Sequence, residues 1–396
     1  MYPIVFPRTW LRDACTCQRC VDPSSGQKRF STVDVPGRPA IRYAWKTHFG
    51  DLEVIWENDF HTHDDHRSIY PGEQIRYYLG EIPQFPKEAN LELRLWDRVD
   101  MEKRAPFFDF GEFINGNSHF YEAHSMLRSH GLFFLRNVPQ NEKAVEKIAE
   151  KIGIIQETFY GRTWDVVSKL NAENVAYTSS FLGLHSDLLY MNDPPRIQLL
   201  HCLKNSCEGG QSTFSDGLRA RFQVQYLDSE LFDILKKRRV MYWYTKGVNH
   251  RCKWRTVVGN HLDVAWSPPF MNPEQELRKS TPGAEDYLKW LQAARQFRDF
   301  LEGEQYMYQY KLKEGECAVF NNLRVLHGRR EFDTSTGERW LKGTYVGDES
   351  YNDLLREIGP SLKREGYISM LDQVKAYFPT PTNDYRLGRT KDTHEQ

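Results

Sequence analysis

Between residues 175 and 346 the chain is cut into short apolar runs: "RIQLLHCL", "STFSDG", "RRVMYWYT", "HLDVAW", "YMYQYKL", "CAVFNN" and "WLKGTYV". Gly, Pro and Asn turns separate them. Runs of this length, rich in β-branched and aromatic residues and punctuated at short intervals, read as strands. One helical pattern, "EDYLKWLQAARQFRDFLEG", lies among them. Many short strands with few helices point to a sandwich or a jelly roll. Upstream, "HGLFFLRNVP" reads as a buried strand. The following "NEKAVEKIAEKIG" puts Val145, Ile148, Ala149 and Ile152 at helical spacing, with Asn141 as the expected cap and Gly153 as the stop. "NDLLREIG" and "ISMLDQVKAYF" read as closing helices before a polar tail.

Residues 1–95 look separate from 96–396. They hold the short strand-like runs "AIRYAW" and "LEVIW", many turn residues and a cysteine cluster, and "EIPQFPKEANLE" reads as a linker. The seven cysteines are an odd number, and Cys15, Cys17 and Cys20 crowd into "CTCQRC". That pattern suits a metal site in a reducing compartment better than a disulfide framework. A C-x-C-x2-C cluster can supply three thiolates to tetrahedral zinc, and "DFHTHDDHRSIYP" offers His61, His63 and His66 for the fourth position. With 53 basic against 54 acidic residues, no bulk field favours nucleic acid or an anionic membrane. No run approaches the roughly 20 apolar residues of a membrane span. The opening "MYPIVFPRTWLRD" has neither a signal nor a transit pattern, so a cytoplasmic location is expected.

The chemistry is carried by "LGLHSDLLY". In a strand, His185 and Asp187 point to one face. Burying that pair without a counter-charge is costly, and a metal ion removes the cost. His327, in "VFNNLRVLHGRREFD" 140 residues downstream of Asp187, supplies a third ligand. Two histidines and one carboxylate hold non-haem Fe(II) on one face and leave positions open. Twelve residues beyond His327, Arg339 offers a planar fork for the distal carboxylate of 2-oxoglutarate. "EGGQSTF" adds Ser212 as a hydroxyl donor. A second His-x-Asp, His261 and Asp263, reads as structural. Any one of these residues alone is more often core or surface; in this order and together they are an active site.

The motifs "WLRDACTCQRC", "YGRTW", "NVAYTSSFLGLHSD", "PPRIQLLHCLKNSCEGG" and "RVLHGR" resemble the gamma-butyrobetaine/trimethyllysine dioxygenase family across nearly the whole chain. The resemblance implies a mainly β fold with flanking helices, in which a double-stranded β-helix (jelly roll) catalytic domain follows a small zinc-binding α+β domain. It implies Fe(II), 2-oxoglutarate and O2, with ascorbate as reductant, structural zinc, and a homodimer. The family pattern around the zinc histidine selects His66. The resemblance also implies an aromatic cage for a quaternary ammonium group, formed by Tyr160, Trp164, Tyr177 and Tyr345, with Asn174 pointing to the butyrobetaine branch. Ring faces hold such a cation by cation–π attraction.

Two departures concern the other end of the substrate. Leu188 stands where butyrobetaine enzymes carry a carboxylate-binding tyrosine, and "WSPPF" (266–270) replaces an asparagine-rich stretch. The expected reaction is hydroxylation of a small betaine or amine with release of succinate and CO2. The alternatives are oxidation of an amino acid or amine in secondary metabolism, by hydroxylation, desaturation or ring closure, and a non-catalytic 2-oxoglutarate-binding or zinc scaffold.

Overall fold

A computed structural model describes residues 6–78, 93–167, 179–246, 249–259, 262–272, 282–362, 372–373 and 376. The chain divides into two compact units, residues 1–90 and 91–396. The expected linker and most of the last expected helix lie outside the described residues. Among described helices none is long and apolar enough to cross a membrane.

The first unit is built on an antiparallel sheet of β1 (Ile41–Lys46), β2 (Leu52–Trp56) and β3 (His66–Tyr70). Leu11, Val54, Trp56 and Tyr70 form its small core. A core this size supplies little stability by itself, which is the usual setting for a metal staple.

In the second unit a six-stranded sheet runs in the order β4 (Phe107–Asp109), β5 (Leu132–Arg136), β15 (Cys317–Asn321), β8 (Ile197–Asn205), β18 (Arg339–Val346) and β6 (Trp164–Val167). A four-stranded sheet runs β14 (Tyr308–Tyr310), β10 (Ser212–Asp216), β16 (Val325–Arg329) and β7 (Leu182–His185). Smaller ladders join β12 (Asn249–Thr256), β11 (Arg239–Lys246) and β13 (Met271–Asn272), and β17 (Phe332–Asp333) with β9 (Glu208–Gly209).

Strand alternation explains the layers. On β8 and β15, Ile197, Leu199, Cys317 and Val319 enter one core with the helices Ser118–Ser129, Ala144–Ile152 and Asp348–Ile358. Leu200, Cys202, Ala318 and Phe320 face the other way, towards the four-stranded sheet. There Phe214 of β10 lies 5.7 Å from both Phe134 of β5 and Phe320 of β15, ring to ring. Burying a phenylalanine stabilises by about 1.5–3 kcal/mol, so these rings set the spacing that the site inherits.

Two local expectations differ. The helix begins at Ala144 and not after Asn141, because the Asn141 Oδ1 accepts from Lys143 N–H at 3.1 Å and makes a separate turn. "HLDVAW" is not a strand: Leu262 has φ +64° and Val264 makes a single bridge to Val258. His261 lies outside the described residues; Asp263 takes the Arg196 guanidinium at 2.7 Å, a structural tie.

Candidate metal centre and pocket

β7 and β16 are antiparallel neighbours, and their register sets His185 opposite His327, with ring centroids 4.3 Å apart. Asp187 Oδ1 lies 3.3 Å from His185 Nε2, and Asp187 Oδ2 lies 3.9 Å from His327 Nε2. The expected strand geometry for His185 and Asp187 needs correction. β7 ends at His185, and Asp187 sits in the turn that follows. Ser186 N–H donates to Trp266 O at 2.6 Å, and Leu188 adopts φ +59°. The turn, not strand alternation, returns the carboxylate to the histidines.

Neighbours fix the orientation of each group. His185 Nδ1 donates to Gly183 O at 2.9 Å, which turns Nε2 toward Asp187. Asp187 Oδ2 accepts from Gln198 Nε2 and from the Tyr345 hydroxyl, each at 2.7 Å. Oδ1 faces His185 Nε2 at 3.3 Å. Burial pushes the Asp187 carboxyl up, but His185, His327 and Tyr345 outweigh it and hold it well below the usual carboxylate range. Burial lowers His327 to about 3, against the pull of Asp187, so its imidazole is neutral. Burial beside Asp187 pushes the Tyr345 phenol well up and keeps it a donor.

Two imidazole nitrogens and one ionised carboxylate, all within 4.8 Å of one another, are a donor set that fits a divalent ion such as Fe(II). Ligands at about 2.1 Å and right angles sit about 3 Å apart, near the 3.3 Å found here.

Arg339 opens β18, and alternation gives it the same inner face as Leu341, Gly343 and Tyr345. It is 6 % exposed, and among described residues no carboxylate pairs with it. Burial lowers its guanidinium to about 10 against the opposing pull of the Cys202 and Cys207 thiols. It lies over Phe332 at 5.4 Å, and a Cβ on Gly210, where φ is +71°, would meet its side chain at 3.2 Å. Arg329, two residues past His327, lies over the same ring at 4.8 Å, and burial and the Arg339 charge lower it too, to about 10. Ser212 on β10 is buried and pairs in register with Arg329.

Trp164 stacks on Tyr345 at 3.9 Å and 20°. It can do so because Gly343 has no side chain: a Cβ there would lie 2.4 Å from the indole. Tyr160 lies 4.2 Å from Phe159 and 6.4 Å from Tyr244. Tyr190 stacks on Tyr244 at 5.2 Å, with Phe270 5.2 Å from Tyr190. Asn174 and Tyr177 lie outside the described residues. Leu188 is buried in the core, and Trp266 packs on Phe297 at 5.3 Å.

In the first unit, the Cys15, Cys17 and Cys20 thiols lie 3.4, 3.5 and 3.4 Å from His66 Nε2. Four donors at about 2.3 Å on a tetrahedron stand about 3.7 Å apart, so this cluster could hold zinc. The bond from Cys20 pulls the Cys15 thiol well below its ordinary value, against burial, and Ser68 donates to Cys15 at 3.0 Å. Arg12 donates to Cys20 at 3.3 Å and pairs with buried Asp59. His61 is turned away, with Nε2 3.0 Å from Arg19 O, and His63 is exposed.

The family model described as taurine catabolism dioxygenase TauD, TfdA family, matches residues 101–345. The chain belongs to this family. Curated relatives of this TauD/TfdA member include Dioxygenase str8 of Strobilurus tenacellus, 32 % identical and covering 88 % of this chain and 84 % of that one. Gamma-butyrobetaine dioxygenase of Pongo abelii is 27 % identical, covering 86 % and 88 %. Mitochondrial trimethyllysine dioxygenase of Bos taurus is 28 % identical, covering 89 % and 83 %. The resemblance read from the motifs therefore extends over most of the chain. The chain is an Fe(II)- and 2-oxoglutarate-dependent dioxygenase of TauD type, acting on a small molecule with O2.

Several residues of this candidate site escape a motif reading. Gln198 is one of three polar residues in "RIQLLHCL", with Arg196 and His201, so nothing in the run singles it out. Arg329 was hidden by the double arginine after "HG". Tyr190 closes the stretch "LGLHSDLLY", but its meeting with Tyr244 and Phe270 depends on tertiary packing alone.

Proposed function

We propose that the chain hydroxylates an unactivated C–H bond of a small quaternary-ammonium substrate, of which gamma-butyrobetaine is the reference. His185, Asp187 and His327 hold Fe(II), and Arg339 with Ser212 takes the distal carboxylate of 2-oxoglutarate. The two facing sheets are read as a double-stranded β-helix. The observation that carries the reading is the in-register meeting of His185 and His327 beside the Asp187 carboxylate, whose Oδ1 faces His185 Nε2 at 3.3 Å and whose Oδ2 faces His327 Nε2 at 3.9 Å. When bound, the metal and 2-oxoglutarate supply the oxidising chemistry, with succinate and CO2 as co-products.

The residues supply placement. Gly183 orients His185, Gln198 and Tyr345 hold Asp187, and buried aromatic walls keep water from the reacting carbon. Tyr160, Trp164 and Tyr345 are read as walls of the ammonium cage, to which the family resemblance adds Asn174 and Tyr177. Cation–π attraction there is worth about 2 kcal/mol when desolvated. A shift of about 1 Å in the substrate changes which C–H is presented.

The test is succinate release with Fe(II), ascorbate and 2-oxoglutarate across a panel of betaines and amines. Stimulation by trimethylammonium compounds supports the reading; stimulation only by uncharged amino acids overturns the cage. Trp164→Ala is expected to weaken quaternary-amine binding about 30-fold while 2-oxoglutarate affinity holds. Calorimetry that finds equal loss of both ligands would count against the cage.

A second reading is favoured by one observation. Leu188, at the position where the resemblance places a carboxylate-binding tyrosine, is buried in the apolar core, two residues before Tyr190, which packs on Tyr244 and Phe270. These residues suit an amine whose far end is apolar. For the first unit, the reading is a closed structural zinc site of Cys15, Cys17, Cys20 and His66. Elemental analysis is expected to find zinc in the protein and to lose it in Cys17→Ser, with iron loading intact; zinc retained by that variant would remove the assignment. A homodimer in a reducing compartment such as the cytoplasm completes the proposal.

A further inference from the structure

Asp187 lies past the end of β7, so no ladder holds its main chain. Asn322 does so instead. It sits in the turn between β15 and β16 and is fully buried. Its Oδ1 accepts from Asp187 N–H at 2.7 Å. Its Nδ2 donates to Asp187 O at 3.1 Å and to Pro195 O at 3.1 Å. The partners settle which end of the carboxamide is which, since one is an N–H and two are carbonyls. Both donors are used, and one side chain satisfies both backbone groups of Asp187.

The turn that bears Asn322 is itself anchored. Asn322 N–H donates to Arg196 O at 2.8 Å. Arg324 forms a buried ion pair with Asp216 at 3.1 Å and donates to Ser129 O and Arg94 O, both at 2.6 Å. The residue after Asp187 is strained: Leu188 holds φ +59°, a left-handed conformation that leucine disfavours. Such a conformation persists where its surroundings over-determine it. His327 lies five residues beyond Asn322 on the strand that leaves the same turn.

We propose that Asn322 is a positioning residue of the metal centre, whose carboxamide clamps the main chain of Asp187 and so fixes its carboxylate where His185 and His327 converge. Gln198 and Tyr345 grip the carboxylate itself; Asn322 sets where that carboxylate starts from. The proposal rests on the reading of these three side chains as the iron ligands.

The test is an anaerobic Fe(II) titration of the metal-free, full-length protein, with Co(II) as a second probe whose visible absorption reports on coordination geometry. Asn322→Ala is expected to weaken Fe(II) binding about 10- to 100-fold, the range found when an outer partner of a ligand is lost, and to alter the Co(II) spectrum. Asn322→Asp keeps the acceptor but sets a carboxylate against two carbonyls, and is expected to weaken binding at least as much. Phe113→Leu, in the core on the opposite face of the six-stranded sheet, lowers the melting temperature but leaves metal affinity unchanged. A folded Asn322 variant that binds Fe(II) within about twofold of the unmodified protein overturns the clamp, being far below the expected range. Where neither variant folds, hydrogen exchange of the Asp187 amide in the unmodified protein decides: slow exchange supports the clamp and loop-like exchange overturns it. An unmodified protein that binds no Fe(II) removes the iron assignment, a result distinct from either.

Discussion

Asp187→Ala is expected to abolish metal-dependent stabilisation and to reduce succinate formation to background. The loss exceeds the 10- to 100-fold that follows removal of an outer partner, because on the proposed assignment a ligand goes. Saturating metal at about 100 times its dissociation constant stabilises a folded protein by about 2.7 kcal/mol. The unmodified chain should therefore melt higher with Fe(II) or Mn(II), and the variant should not. The metal-free variant also leaves the Tyr345 hydroxyl without its acceptor, at a cost of about 1–3 kcal/mol, whereas the Gln198 amide keeps His327 Nε2 at 3.3 Å. Differential scanning calorimetry with and without metal separates the two effects. A variant that keeps the metal-induced shift, or its full turnover, removes Asp187 from the centre.

Arg339→Met is expected to act in opposite directions on stability and on cosubstrate binding. The guanidinium is buried without a described carboxylate partner and is held below its ordinary value by that burial. Replacing such a charge by an apolar side chain of similar length is neutral or stabilising, so the melting temperature of the unliganded variant should be unchanged or raised. Binding of 2-oxoglutarate should fall, because truncating one partner of a buried, hydrogen-bonded charge pair costs about 2–5 kcal/mol, roughly 30-fold at the low end. Arg339→Lys retains charge but loses the planar fork, and is expected to recover only part of the affinity. Titration calorimetry with 2-oxoglutarate checks both. Equal affinity in Arg339→Met and the unmodified chain would move the cosubstrate site elsewhere, with Arg329 the next residue to test.

The strand-rich frame was legible because the apolar runs are short and their punctuation is local: "RIQLLHCL", "CAVFNN" and "WLKGTYV" become β8, β15 and β18 with ends shifted by a residue or two. The grouping of His185, Asp187 and His327 was legible because metal chemistry restricts residue type more than position. What the pattern could not carry was the path of the chain between them. A period-two reading keeps β7 running through Asp187, whereas Leu188 turns left-handed and the strand stops. The forces that stop it come from Asn322 and Trp266, 135 and 80 residues away in sequence from Asp187 and Ser186 respectively. "HLDVAW" failed for a related reason, as a positive φ at Leu262 interrupts what composition alone would extend. The aromatic wall shows the same limit, since only folding brings Tyr190 from one segment to Tyr244 from another.

Gly343 gives the pocket an unusual mechanical character. The indole of Trp164 lies flat across bare backbone and rests against the phenol two residues further along, and that phenol in turn donates to the Asp187 carboxylate. Indole, phenol and carboxylate thus form a short lever whose fulcrum is an absent methyl group. A displacement of the indole is felt at the carboxylate, so the two ends cannot be tuned independently in this chain.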